Sequence, residues 1–210
     1  METIDVVAVL SGKWEDGTRP ADLYDQHVAT DPEAYLPRIL DGLRSSSGKP
    51  QSGCAELASR LSEARPDLLW PERELFVANL SAEPPVVRWE AACVLGNLAA
   101  VDTGGELRRQ VPELEALLTA DSIVLQGHAV RALAKMARAY PSEAEGILDS
   151  LISAEDRFPG SRVGFLVESM ADFAAYPELR PTARAFAERH RVSDVKAVAR
   201  KARRAVKALE

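Results

Sequence analysis

The chain has 210 residues, 46% of them apolar and 28% charged, and a formal net charge of −6. That balance excludes a disordered chain, and no apolar run approaches the roughly 18 to 20 residues that a membrane-spanning helix needs. The charge is uneven: residues 1–177 carry 16 Lys and Arg against 28 Asp and Glu, a net of −12, while residues 178–210 carry 10 against 4, a net of +6.

The N-terminal stretch "METIDVVAVLSGKWEDG" contains a short apolar patch, Val6 to Leu10, flanked by acids and lacking a basic leader, so it is a poor signal peptide. Residues 1–30 are expected to form an irregular N-terminal cap, helical but interrupted by a loop, over the apolar end of the first hairpin. Cys54 and Cys93 fit no metal-ligand spacing and read as small apolar side chains in a reducing compartment. A soluble cytoplasmic protein is expected.

Helical periodicity dominates over residues 31–210, and no alternating strand pattern is bounded by hairpin dipeptides. In "TDPEAYLPRIL", Thr30 and Asp31 are candidate caps, with Pro32 in the first turn and Glu33 three residues after Thr30. "PSEAEGILDSLI" places Ser142 three residues before Glu145, a second capping box, and Ser193 and Asp194 precede the last apolar stripe. The pattern predicts paired helices near 32–44 and 51–65, 71–81 and 86–100, 106–119 and 123–140, 142–153 and 161–175, and 178–190 and 194–208. Short breakers such as "SSSGKP", "VDTGG" and "AEDRFPG" separate them.

The pairs repeat. A shift of 38 residues lays "RWEAACVLGNLAA" on "QGHAVRALAKMAR", matching Ala91 with Ala129, Leu95 with Leu133 and Ala99 with Ala137. "AYP" occurs at 139–141 and again at 175–177. Helix pairs at this period mark an α-solenoid, because one hairpin cannot bury both of its apolar faces alone. Ala91, Ala92, Gly96 and Ala99 let neighbouring helices approach, and Leu95 and Leu98 fill the space between them.

These units resemble HEAT repeats. Glu83 to Ala100, "EPPVVRWEAACVLGNLAA", is similar to that family's turn and second helix, and residues 111–137 resemble a whole unit with Pro112 early and Asp121 at the turn. The pattern degenerates at "AEDRFPGSRVG", and Gln126 stands where the family usually has Arg or Lys. The resemblance implies an all-α, curved solenoid of about five hairpins. It also implies a scaffold that binds other macromolecules along a pre-formed concave face lined by the second helices.

Two surfaces stand out. Trp89 lies off the predicted buried stripe of its helix and shares a face with Cys93 and Asn97, at i, i+4 and i+8. The next unit places Gly127, Arg131 and Lys135 at the equivalent positions, with His128 beside them. Trp and Arg are enriched at interface hot spots, so Trp89, Asn97, His128, Arg131 and Lys135 are the candidate protein-binding residues. Trp89 is either displayed to a partner or laid over a neighbouring helix. The second surface is the last helix, where Lys196, Arg200, Arg203, Arg204 and Lys207 face away from an apolar stripe of Val195, Val198, Ala202, Val206 and Leu209. They are candidates for contact with phosphates or an acidic partner, or else form a solvated end face. No catalytic constellation, metal site or cofactor motif is present, and His27, His128 and His190 are scattered. The expected function is a non-catalytic protein-binding scaffold or adaptor without contact to membranes. The alternative is a nucleic-acid-binding module of the architecture seen in some HEAT-like DNA-repair glycosylases, using the basic last helix.

Overall fold

A computed structural model describes residues 4–210; all regular elements among them are helical. Contacts cluster into two compact units, one running to Val101 and one from Asp102 to Glu210. No described helix is long and apolar enough to cross a membrane.

In the first unit, α1 (Val6–Ser11) begins at Asp5, whose carboxylate accepts from the amides of Val7 and Ala8 at 3.1 Å each. Val6 and Leu10 are fully buried against α3 (Pro32–Leu43) and α4 (Gly48–Ala64), so the short N-terminal apolar patch is core. A loop then leads to α2 (Pro20–Leu23), which continues as a π-helical turn over Tyr24–Val28. Asp31 caps α3, accepting from the amide of Ala34 at 3.3 Å. Thr30 does not complete the expected capping box, because its hydroxyl donates to the carbonyl of His27 at 2.6 Å.

α5 (Pro66–Leu69), a 3-10 turn over Trp70–Glu72 and α6 (Arg73–Asn79) lead into α7 (Pro85–Leu98), which packs along both α4 and α6. Two neighbours widen its buried face. Val94 is therefore buried as well as Val87, Ala91, Ala92, Leu95, Gly96 and Leu98. Gly42 is where α3 meets α1 and α4: a Cβ there would lie 2.2 Å from the Cys54 sulfur and 3.2 Å from a Val7 methyl. Burial, with Asp5 nearby, pushes the Cys54 thiol up to about 12, so it stays protonated and acts as packing.

The second unit opens on Asp102. Its carboxylate accepts from the amides of Glu106 at 3.0 Å and Leu107 at 2.7 Å, which fixes the 3-10 turn Glu106–Gln110 ahead of α8 (Val111–Ala116). α9 (Ile123–Ala139) is capped by the Ser122 hydroxyl, which accepts from the Leu125 amide at 3.3 Å. The expected capping box at Ser142 is absent. That segment begins as a 3-10 turn at Pro141–Glu143 before α10 (Ala144–Ser153), and the Ser142 hydroxyl donates to Glu143 at 3.2 Å. α11 (Val163–Ser169) continues as a 3-10 turn through Ala175, and α12 (Arg180–Arg189) and α13 (Lys196–Ala208) complete the stack. Ser193 forms a local turn with the amide of Val195 at 3.3 Å and does not cap α13 by a side-chain bond.

The tyrosines of the two "AYP" stretches latch the repeats: Tyr140 closes its own hairpin onto the turn that opens it, and Tyr176 ties its hairpin to the preceding one. The Tyr140 hydroxyl donates to Asp102 at 2.6 Å, and the Tyr176 hydroxyl donates to the Ala137 carbonyl, at the end of α9, at 2.5 Å. Burial raises the Asp102 carboxyl, but the bonds from Tyr140 and from the amides of Leu107, Glu106 and Gly105 outweigh it and hold the group below its ordinary value.

Two outcomes follow from this packing. Tyr140→Phe should cost about 1.5–3 kcal/mol in urea unfolding, the range for a hydrogen bond to a charged group. A depressed carboxylate stabilises the fold above its unfolded pKa and loses that stabilisation as pH falls through the folded value. Removing the Tyr140 bond shrinks the depression, so the variant should lose less of its stability between pH 5 and pH 2 than wild type, measured by unfolding at stepped pH. Gly42→Ala should cost roughly 1–3 kcal/mol by overpacking against Cys54. Adding Cys54→Ala should recover part of that loss; a strictly additive double mutant would refute the contact as its cause.

Candidate functional site

The residues of the predicted strip fall in both units. Trp89, Cys93 and Asn97 belong to the first; Gly127, His128, Arg131 and Lys135 belong to the second.

On α7, Trp89 is half-buried and outside the fully buried stripe. Its indole N–H donates to Glu90 at 3.2 Å. Glu90 is half-buried beside it. Burial raises its pKa, the Glu56 carboxylate adds to the rise, and bonds from Ser59 and Trp89 oppose it. Glu56 pairs with Arg60 one turn along α4, at 3.0 Å. An indole and two carboxylates, one of them poorly solvated, are thus gathered at the edge of α4 and α7. Asn97 does not join them. Its amide nitrogen donates to the hydroxyl of Ser62 on α4 at 2.8 Å, and Ser62 is fully buried. Eight residues of α-helix turn the face by about 80°, enough to carry Asn97 from the edge into the α4 contact. The Asn97 side chain is thus engaged with α4. Cys93 is half-buried and forms no disulfide.

In the second unit, the space left by Gly127 is filled. A Cβ at Gly127 would lie 3.1 Å from the ring of Phe165, which reaches across from α11. The exposed Arg131 guanidinium lies 5.4 Å from the centroid of that ring, and the ammonium of Lys201 on α13 lies 5.5 Å from it. A ring between two cations is attracted by both through its quadrupole. Lys201 also pairs with Glu168 at 2.8 Å, and Arg138 with Asp172 at 3.4 Å. Burial raises the Asp172 carboxyl against the pull of Arg138 and Lys135. Between α9 and α11 these groups line a depression of about 130 Å³ that includes Arg131, Lys135, Phe165 and Glu168. His128 is half-buried; burial, then Arg131, lowers its pKa to about 4. It is neutral at pH 7 and offers a hydrogen bond without a charge.

Phe165 and Glu168 are the residues that sequence reasoning missed. They follow the stretch where the repeat pattern degenerates. The one available signal was Gly127 itself, a missing side chain at the position that Trp89 occupies in the preceding unit.

Of the predicted apolar stripe, Val198, Ala202, Val206 and Leu209 are buried, and Val195, at the start of α13, is half-buried. Lys196, Arg200, Arg203, Arg204 and Lys207 are all exposed, and none is hydrogen-bonded or ion-paired among the described residues. Nearby cations differ: Lys201 pairs with Glu168, Arg189 with Glu155 at 2.8 Å and Arg191 with Glu188 at 2.9 Å. Among the described residues no three of His, Cys, Asp and Glu are gathered so as to hold a metal ion.

No family model matches the chain, and no curated protein matches it. Solved structures do. A designed armadillo repeat protein superposes with a TM-score of 0.67 at 18% identity, over 98% of this chain and 98% of its own. A second designed armadillo repeat protein, in complex with the peptide (KR)4, gives the same TM-score of 0.67, the same 18% identity and 98% coverage of each chain. An engineered protein from a structural genomics programme gives 0.66 at 21% identity, over 98% of this chain and 89% of its own. At these identities the likeness is one of fold: the chain is an all-α repeat solenoid of about five helical hairpins.

Proposed function

We propose that the chain is a non-catalytic protein-binding scaffold, built of HEAT-type two-helix units, that takes a segment of a partner protein along the exposed edges of its second helices. The observation that carries this reading is the seat of Phe165. A half-buried aromatic ring is packed over Gly127 with Arg131 and Lys201 close to it, so it is already ordered before any partner arrives. Pre-ordering lowers the entropic cost of association. The first unit, by itself, offers Trp89 with Glu90 and Glu56 on its own second helix. Trp and Arg are the side chains most enriched at binding hot spots. A designed repeat protein of this fold holds the peptide (KR)4, and others were designed for modular peptide recognition; both support a peptide segment as the occupant. The cytoplasmic placement rests on Cys54 and Cys93, which form no disulfide, as expected in a reducing compartment.

The test compares wild type with Trp89→Ala combined with Arg131→Glu in affinity capture from the native lysate. Partners retained by wild type should be lost or reduced at least about tenfold by the double variant, as when hot-spot residues are removed. Trp89→Ala alone should cost less than the roughly 3–5 kcal/mol of a core Trp truncation, because Trp89 is only half-buried. Equal capture by both proteins would reject this surface.

A further inference from the structure

The outward face of α13 is separate from the surface just described. Lys196, Arg200, Arg203 and Lys207 recur at i, i+4, i+7 and i+11, a straight row of about 16 Å at the α-helical rise, with Arg204 at its edge. The row lies opposite the buried stripe of Val198, Ala202, Val206 and Leu209. Its five cations are exposed and have no hydrogen bond or ion pair among the described residues. At the start of the row is Val192, in the turn between α12 and α13, 87% exposed and the most exposed large apolar side chain among those described. Val192, Ser193, Ala197 and Arg200 share with Lys196 and Arg203 the wall of an open recess of about 700 Å³.

We propose that this row and recess form a second docking site, whose occupant is a short acidic peptide segment carrying one aliphatic side chain. Acidic residues of the segment pair with Lys196, Arg200, Arg203 and Lys207, and the aliphatic side chain covers Val192. Three observations favour a peptide over a nucleic acid. An exposed valine at the mouth of the recess matches an aliphatic side chain, which a phosphate backbone lacks. α13 carries no aromatic residue on which bases could stack. The row is also short and is carried on an acidic body: residues 102–177 of the same unit hold 7 Lys and Arg against 12 Asp and Glu, a net of −5, which repels a polyanion extending past the row.

The experiment uses the full chain and a synthetic twelve-residue peptide rich in glutamate with one central leucine, against the same peptide with serine in place of the leucine. Binding is followed by fluorescence anisotropy at low and at near-physiological salt. The leucine peptide should bind more tightly than the serine peptide, and both should weaken as salt rises. Reversal of three cations, Lys196→Glu, Arg200→Glu and Arg203→Glu, should weaken binding at least about tenfold, the sum expected of several exposed ion pairs turned repulsive. The neutral set Lys196→Gln, Arg200→Gln and Arg203→Gln should weaken it less, and it keeps the test valid if the reversed protein unfolds. Val192→Ser should remove the preference for leucine while leaving the serine peptide's affinity unchanged. The Trp89→Ala, Arg131→Glu protein should bind the peptide like wild type, which separates this site from the second-helix surface. The proposal is overturned if neither peptide binds at low salt, if Val192→Ser leaves the leucine preference intact, or if duplex or single-stranded DNA of twenty nucleotides binds more tightly than the peptide at equal salt. It is overturned as well if sedimentation shows a salt-sensitive self-association that the same charge reversal abolishes and that excludes the peptide, because the occupant is then a second copy of the chain.

Discussion

Close approach of helices through small residues is the constraint on which each unit depends. A solenoid has no central core. Its apolar burial comes from helices that each touch two neighbours, so the contacts must be tight on both sides. At Gly42 the absence of a Cβ lets the Cys54 sulfur sit where that atom would be, and α1, α3 and α4 converge there. At Gly127 the same absence admits the ring of Phe165. α7 shows the consequence for composition. It buries Val87, Leu95 and Leu98 along with Ala91, Ala92 and Gly96, because a helix covered by both α4 and α6 has little room for large side chains on either flank.

Apolar packing of this kind sets distance but not register, since small residues slide past one another with little penalty. Directional bonds supply the register. Tyr140 reaches back to Asp102 and Tyr176 back to the end of α9, each spanning one repeat. Asp102 is satisfied by the Tyr140 hydroxyl and by the backbone amides of Glu106 and Leu107, so the same carboxylate orders the entry to α8 and receives the latch from the end of α9. In the first unit an ion pair spans the equivalent distance: Arg65, at the end of α4, meets Glu33 of α3 at 3.1 Å. That pair is exposed and contributes less than a buried hydrogen bond to a charged group.

The helices were legible because their period, prolines and breakers all pointed the same way. The buried stripe of α7 and the two-faced character of α13 followed from spacing alone. What was not legible depended on atoms far apart in the chain. Thr30 and Ser142 look like caps, yet each hydroxyl found a local partner first, and Pro141 opened a 3-10 turn ahead of the expected helix start. Asn97 shares a face with Trp89 on a helical wheel, but over two turns the face rotates toward α4, where Ser62 takes its amide. Phe165 lies in a stretch with no repeat signal, so its meeting with Gly127, Arg131 and Lys201 could be seen only in three dimensions. Trp89 stands between the two alternatives posed for it: part of the ring is covered, and the rest shares the edge of α7 with Glu90.

Electrostatics divides the molecule in a way that packing does not require. The apolar stripe of α13 would hold the helix in place with any polar residues on its outer face. Lys196 and Arg200, Arg200 and Arg204, and Arg203 and Lys207 are like-charged neighbours at i, i+4, a spacing that disfavours the helix by roughly 0.2–0.5 kcal/mol per pair. Cations in the last turn gain from the helix dipole, but Lys196 opens the helix, where the dipole opposes it. The repulsion is tolerated because Val198, Ala202 and Val206 are buried beneath it. An anionic segment laid along the row would relieve that repulsion and add its own attraction. Several other cations of the unit are already engaged: Lys201 with Glu168, Arg138 with Asp172, and Arg189 with Glu155. The five cations on the outer face of α13, uncompensated by the fold, therefore form a row of charge left for an outside partner.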